Sequence, residues 1–397
     1  MNIHAKHTYK ILTLIKSLEA MMFLAPVMIL FYKYKGLSVT DFFLIKSIYY
    51  IFSVFFEIPA GAIADRFCRK KVLVFSYLVN LVGLAFMYFL SGLPVMVFAA
   101  ILSGFAMSLH SGLIEAYVYD SLKLTKKEHK NTKYSSRVLG IPLYFSALAT
   151  FFGGSVFYLI GPDLTLILDM FMIILAMLLV FLLPNIPVQK QEHEKPNIFL
   201  AIKETLADKQ LRNLGLYFAS YTAAGFSLFY LLQPMMDFKE MPAYMFGWFM
   251  CINMVLCGLF TQASDKLYSK MSLKQYSVML LVLIITGFIA ALAITYDVSN
   301  YITYVLLIWI AFVAGTDYGL RVVTNTLVNE KVDSVNRATI LSVIAMMSSL
   351  AVGLFMLLFK VIGDLLGLQD MLYLVLTLNL FLVIVFMYKT LKTHNDI

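Results

Sequence analysis

Charge is what this 397-residue sequence has least of: 31 Lys and Arg with 23 Asp and Glu amount to 14% of the chain. A soluble protein carries about 25%, so an ordinary water-soluble globular enzyme is excluded. Cysteine is also scarce. Cys68, Cys251 and Cys257 are the only three, and neither a disulfide framework nor a metal site follows from them. No run matches Gly-x4-Gly-Lys-Ser/Thr, so ATP is not expected to drive the protein directly. The first apolar stretch is too long for a cleavable signal peptide and lacks a small-residue cleavage site. No cofactor and no metal is expected.

What is present is apolar surface, with 61% hydrophobic residues. No Asp, Glu, Lys or Arg occurs in the 43 residues between Lys71 and Glu115. At about 20 residues per membrane-spanning helix, that stretch holds two spans, with a turn available at Ser91-Gly92-Leu93-Pro94. Uncharged runs of 18 to 25 residues follow Arg137, Asp169, Arg212, Glu240, Lys274, Asp297, Arg337 and Asp370. Two further spans, roughly 10 to 32 and 40 to 64, are interrupted by Lys16, Glu19, Lys46 and Glu57. The reading is an all-α integral membrane protein with twelve transmembrane helices. A barrel would need short alternating strands.

With both termini on one side, 24 of the Lys and Arg residues fall on that side, four on the other (Lys33, Lys35, Lys239, Lys360) and three within spans. Cytoplasmic loops retain basic residues, so both termini are expected in the cytoplasm. Topology also explains the net charge of +8 without a nucleic-acid partner. The longest polar stretch divides the chain into an N-terminal six-helix bundle at 1–185, a central cytoplasmic loop at 186–210 and a C-terminal six-helix bundle at 211–397. A shift of 200 residues lays Asp65-Arg66 on Asp265-Lys266 and Arg137 on Arg337. Such parallel repeats place a substrate site between two halves.

The loop between spans two and three reads Gly61-Ala62-Ile63-Ala64-Asp65-Arg66-Phe67-Cys68-Arg69-Lys70-Lys71-Val72-Leu73. It resembles the signature loop of the major facilitator superfamily, with Cys68 in place of that motif's second Gly. The resemblance implies two pseudo-symmetric six-helix bundles, a small-molecule substrate moved across a lipid bilayer, and a bacterial inner membrane. The runs Ser111 to Leu122 and Arg337 to Ser342 resemble those of bacterial exporter-type permeases of the drug/proton antiporter kind, although the antiporters' fourth-span Arg and compact Gly-Pro/Gly-Gly motif are missing. A carboxylate at a helix end followed by a basic cluster can latch against a neighbouring helix terminus. Gating is therefore assigned to Gly61, Asp65, Arg66, Arg69 and Lys70, with Glu57, Asp120, Arg137 and Arg337 as further gate candidates.

Charged groups inside a membrane cost about 2.5 to 3.5 kcal/mol each at the bilayer centre and so mark function or pairing. In the resembled family, spans one, four, seven and ten line the cavity. Glu19, near mid-membrane in span one, is the first choice for the proton carrier, with Glu115 and Asp317 beside it as candidates. The alternative for Glu19 is a static pair with Lys16, three residues away on its own face. Asp317, Arg321 and Asn325 recur every four residues as a polar stripe. Lys16, Arg321, Asn325, Tyr217, Tyr221 and Gln233 are candidates for lining the cavity. Asp169 receives no role from the sequence. His110, the only histidine within a span, reads as a packing residue.

The expected function is proton-coupled export of a small amphiphilic molecule by a monomer. An importer or facilitator of a small nutrient and a membrane sensor built on a transporter fold are the alternatives. No cluster of catalytic groups suggests an enzyme.

Overall fold

In the computed structural model, residues 5–110, 113–124, 131–184, 198–296, 298–332 and 337–395 are described. Among them there is no strand, and twelve helices are long and apolar enough to cross a membrane. Spans one to six are Thr8–Tyr34, Val39–Ala64, Arg69–Phe89, Leu93–His110, Gly140–Leu159 and Pro162–Val180. Spans seven to twelve are Lys209–Phe238, Ala243–Tyr268, Leu273–Ile294, Asn300–Lys331, Thr339–Leu366 and Gln369–His394. Helix is the only open answer for such segments, because a backbone N–H without a partner in lipid costs several kcal/mol.

Punctuation between the helices is local chemistry. The turn read at Ser91 to Pro94 is there, with Gly92 at φ 97° and the next helix starting at Leu93. Asp208 caps span seven by accepting the N–H groups of Gln210 and Leu211 at 2.8 and 2.9 Å. Ser272 and Gln275 form a reciprocal capping box at the start of span nine, which satisfies two orphan donors. Within the stretch expected as the central loop, Ile198–Ala207 is a helix. Residues 185–197 lie outside the described part.

The chain forms two compact units. The first comprises Met1–Ser38, Phe52–Lys190 and Met241–Cys251, and the second comprises Val39–Ile51, Gln191–Glu240 and Ile252–Ile397. The first has a core built from Leu12, Ile15, Leu73, Tyr117, Ala176 and Val180, among others, all buried. Its short segment from span eight is held by backbone contact: a Cβ on Gly247 would lie 2.7 and 2.8 Å from the carbonyl oxygens of Thr150 and Phe151 in span five. Lipid supplies no hydrophobic drive between helices, so small residues that let backbones meet do that work.

In the second unit, span seven is the hub, packed against spans nine to twelve and buried almost throughout from Leu211 to Met236. The start of span two, Val39–Ile51, lies along span eleven. There Phe43 stacks on Phe359 with centroids 5.0 Å apart, and Gly353 leaves room for Ile51 and Ser47.

Two spans are discontinuous. Span one runs as Ala5–Ala20, then a 3-10 turn Ala25–Val27, then Met28–Tyr34. Span ten stops at Ala314 and restarts at Asp317. Non-helical backbone at membrane depth is tolerated only where protein or water satisfies it, so both breaks point to neighbouring groups that do so.

Candidate functional site

Glu19 sits at the last turn of the helix Ala5–Ala20, where the helix dipole opposes a negative charge. Two donors and one imidazole contact offset that placement. Lys16 Nζ approaches Oε1 at 3.2 Å, Tyr77 OH donates to Oε2 at 3.1 Å, and His110 Nε2 lies 3.1 Å from Oε2. The other ring nitrogen of His110 is 3.3 Å from Ser76 Oγ. Spans one, three and four thus converge on one carboxylate. Glu19 is 26% exposed and His110 9%, so the carboxylate keeps a limited opening while the imidazole is enclosed.

The sequence reading named Glu19 and Lys16 but not Tyr77, Ser76 or His110 as their partners. The pair with Lys16 is present, yet it is one of several contacts. Nothing in residue periodicity links Glu19 to Tyr77, 58 residues on; tertiary packing alone does so. The one available signal was that His110 stands inside the 43-residue uncharged stretch.

Just beyond Glu19 the helix breaks, and Asp169 of span six explains how the break survives. Its two oxygens accept the N–H groups of Phe23 at 2.6 Å and Leu24 at 3.3 Å. Gly153 of span five presses against the carbonyl of Phe23, where any Cβ would overlap it. Pro26, in the 3-10 turn, has no N–H to satisfy.

In span ten, Asp317 opens the second half-helix and is 6% exposed, with Oδ1 lacking a hydrogen-bond partner. Arg321 and Asn325, one and two turns further, are exposed, and no salt bridge joins Arg321 to Asp317. The break itself is held from span seven, since Tyr221 OH and Thr316 Oγ1 are 2.7 Å apart. Tyr221 also donates to Leu280 O at 3.2 Å. Tyr217 and Gln233 are buried as well. Tyr217, Tyr221 and Gln233 therefore lie within the second unit's core, because span seven is surrounded on nearly every side.

Around the signature loop, Lys70 Nζ donates to the carbonyl oxygens of Phe181 at 2.8 Å and Leu183 at 3.0 Å. These carbonyls end span six, where a cation complements the helix dipole. Tyr117 OH donates to the next carbonyl, Pro184 O. Gly61 and Arg66 are exposed, whereas Arg69 and Glu57 are half-buried. Arg337 ties the start of span eleven to the carbonyls of Asn329 at 3.0 Å and Val332 at 3.3 Å. The side chains of Asp65, Glu115, Asp120 and Arg137 lie outside the described residues.

A second charged cluster, not singled out by the sequence, joins the start of span two to the end of span eleven within the second unit. Lys360 Nζ is 2.7 Å from Asp41 and 2.8 Å from Asp364, and Thr40 Oγ1 donates to Asp364 at 2.6 Å. Among the described residues, no group of three or more His, Cys, Asp or Glu could hold a metal ion.

Twelve apolar spans, two of them broken, with carboxylates clasped at membrane depth, define a multi-pass membrane transporter. The chain belongs to the major facilitator superfamily, whose model matches residues 12–356. No curated protein matches its sequence. Among solved structures it is similar to the nucleoside transporter NupG, at 17% identity and TM-score 0.76 over 98% of this chain and 99% of that one. It is also similar to a bacterial homologue of the human lysosomal transporter Spinster in an inward-facing, unoccupied conformation, at 15% identity and TM-score 0.69 over 99% and 98% of the two chains. Identities this low speak for the fold alone.

Proposed function

We propose that the protein is a proton-coupled secondary transporter that exports a small amphiphilic molecule by alternating access. The observation that carries the reading is Glu19, a carboxylate midway along span one whose three polar neighbours, Lys16, Tyr77 and His110, come from spans one, three and four. Two of those neighbours, Lys16 and His110, carry basic groups, so the charge of the carboxylate answers to how they move. A half-open carboxylate among titratable partners fits a proton site better than a purely structural pair, which would be closed on all sides.

In this reading the transporter is a monomer in a bacterial inner membrane with both termini in the cytoplasm. Residues 1–185 and 211–397 move as two halves about the central loop. Asp317, with its unpartnered oxygen, is a second protonation candidate, and Arg321 and Asn325 are exposed groups available to a substrate. Asp65, Arg66, Arg69 and Lys70 are assigned to gating, together with Glu57, Asp120, Arg137 and Arg337. Glu115 remains a proton candidate on its position in sequence.

The test compares small molecules inside and outside cells that express wild type, Glu19→Gln or empty vector at matched levels. A compound released only by wild type supports export through Glu19. Its accumulation inside the cells would make the protein an importer. Uphill movement of that compound by Glu19→Gln in proteoliposomes, with unchanged pH dependence, removes Glu19 as the proton carrier.

A further inference from the structure

Inside the stretch expected as the central loop, the helix Ile198–Ala207 has no task in the transport reading. Its ten residues measure about 15 Å, too short to cross a bilayer. At about 100° per residue, its side chains fall into a definite order around the axis. Ala201 and Thr205 are buried, with Ile198 and Ile202 half-buried beside them, and this face packs on the helices of spans seven and eleven. Phe199, Lys203 and Leu206 follow as i, i+4 and i+7 on the next face, with Phe199 64% and Leu206 45% exposed. Leu200 comes after Lys203, and Glu204 lies farthest round. Two large apolar side chains thus flank a lysine on one exposed side, and a carboxylate marks the other.

The surroundings hold that helix at the edge of the membrane. Only Asp208 separates it from span seven, which starts at Lys209. Asp208 N–H donates to Glu204 O at 2.9 Å and closes the last turn, while Arg212 Nη1 reaches back to Leu206 O at 2.8 Å. The Asp208 carboxylate caps span seven and meets Lys331 Nζ at 2.7 Å. The elbow is therefore fastened on both arms. Span eleven begins as a helix at Arg337 and as an apolar span at Thr339, so a helix packed on it lies no farther out than the headgroups. Span eleven also exposes Leu350 and Leu354, as a span facing lipid tails does.

We propose that Ile198–Ala207 is an interfacial anchor, lying in the bilayer surface beside span seven with anionic phospholipid as its partner. Phe199 and Leu206 enter the upper acyl region, which accepts the apolar face of an amphipathic helix. Lys203 lays its aliphatic stem along them and carries its ammonium out to a lipid phosphate. Lys209, also exposed at the elbow, adds a second cation for the same headgroup layer. Arg212, Lys331 and Arg337 are engaged within the protein, so the charge turned to lipid here is that of Lys203 and Lys209. Glu204, on the far side, stays in water, away from the negative surface.

Charge and position favour lipid over a protein occupant. Lys203 sits between the two apolar groups, so two copies meeting symmetrically through this face would set like charges against each other. A headgroup layer supplies the opposite charge, and the acyl chains beneath it supply the apolar contact. The anchor ties the start of span seven, the hub of the second unit, to one leaflet. Only the naming of that leaflet as cytoplasmic uses the transport reading; the contact with lipid does not.

The test places the full chain in liposomes of phosphatidylcholine and phosphatidylglycerol, with Trp248 and Trp309 changed to Phe and one new tryptophan added at a time. Phe199→Trp and Leu206→Trp should lose fluorescence to lipids brominated along their acyl chains and little to acrylamide in the water. Glu204→Trp should behave the other way round. Adding Lys203→Glu to the Phe199→Trp chain should weaken quenching by brominated phosphatidylglycerol more than by brominated phosphatidylcholine. If the chain without its natural tryptophans does not fold, the same substitutions with Trp248 and Trp309 kept give the added quenching as a difference. A tryptophan at 199 that acrylamide reaches and bromine does not puts the helix in water and overturns the anchor. Shielding from both quenchers overturns it too: shielding that persists on dilution into more lipid means cover by this chain, and shielding that is lost means a second copy. Equal bromine quenching at 199, 204 and 206 overturns the assigned face, and indifference to Lys203→Glu removes the anionic headgroup.

Discussion

Lys360 and Asp41 stand 319 residues apart in sequence and 2.7 Å apart in space, and the same ammonium reaches Asp364 one turn along its own helix. Lys360 is 17% and Asp41 14% exposed, so the contact is shielded enough to count. Removing one member of such a pair strands the other's charge, which costs more than removing both. Lys360→Met should lower stability by about 1 to 3 kcal/mol, and Asp41→Asn in the same chain should restore part of that. Thermal unfolding in detergent of the two single variants and the double variant measures the coupling. Additive losses would show that the clasp is not an energetic unit.

Asp169 should be less forgiving. Asp169→Ala leaves the N–H groups of Phe23 and Leu24 without acceptors, at about 1 to 3 kcal/mol per buried donor. Asn retains one acceptor oxygen and should lose less. A drop in Tm ordered Ala, then Asn, then wild type is expected. An Ala variant as stable as wild type would mean that the break in span one closes into helix.

At the head of span seven, Asp208 carries a pH signature. Burial pushes its carboxyl up, but the Lys331 ammonium at 2.7 Å and two backbone N–H groups outweigh that and hold it below the usual range. Its contribution is therefore complete above the unfolded value of about 3.9 and fades as pH falls through the lower folded value. Asp208→Asn keeps the cap and loses the ion pair; Asp208→Ala loses both, at about 1 kcal/mol for the cap. The Tm gap between wild type and Asp208→Asn should be present at pH 7 and shrink as pH falls below 4. A gap independent of pH would exclude the ion pair as its source.

The contact between spans five and eight should tolerate no side chain. Gly247→Ala places a methyl against two backbone carbonyls that cannot move aside, an overpacking cost of about 1 to 3 kcal/mol. Gly258, in the same span with nothing within 4 Å of its added Cβ, is the control, and Gly258→Ala should be near neutral. Equal Tm values for the two variants would refute the close approach.

The fold was legible because lipid sets a steep penalty on charge. Spacing between charged residues counts ten spans, the two at the start are apolar stretches interrupted by Lys16, Glu19, Lys46 and Glu57, and Gly92 and Pro94 mark a turn inside the longest gap. The site was legible only in its charged members. Glu19 stands out in an apolar run, but Tyr77 and His110 are ordinary span residues until three helices meet. Asp169 had no reading because its partners are backbone N–H groups, and only Pro26 hints that the helix there is broken. Tyr217 and Tyr221 show the opposite limit: helical periodicity gives a face, not the neighbour that covers it.

The break in span one also sets an order of assembly. Asp169 is made 146 residues after Phe23, so a ribosome has delivered five spans before the acceptor for those two N–H groups exists. Until then the N–H groups of Phe23 and Leu24 must find other partners, along the chain or in water. The break beside Glu19 thus gains its acceptor only when span six arrives. A truncated nascent chain of five spans would hold Glu19 next to a turn whose two N–H groups still lack the carboxylate that receives them.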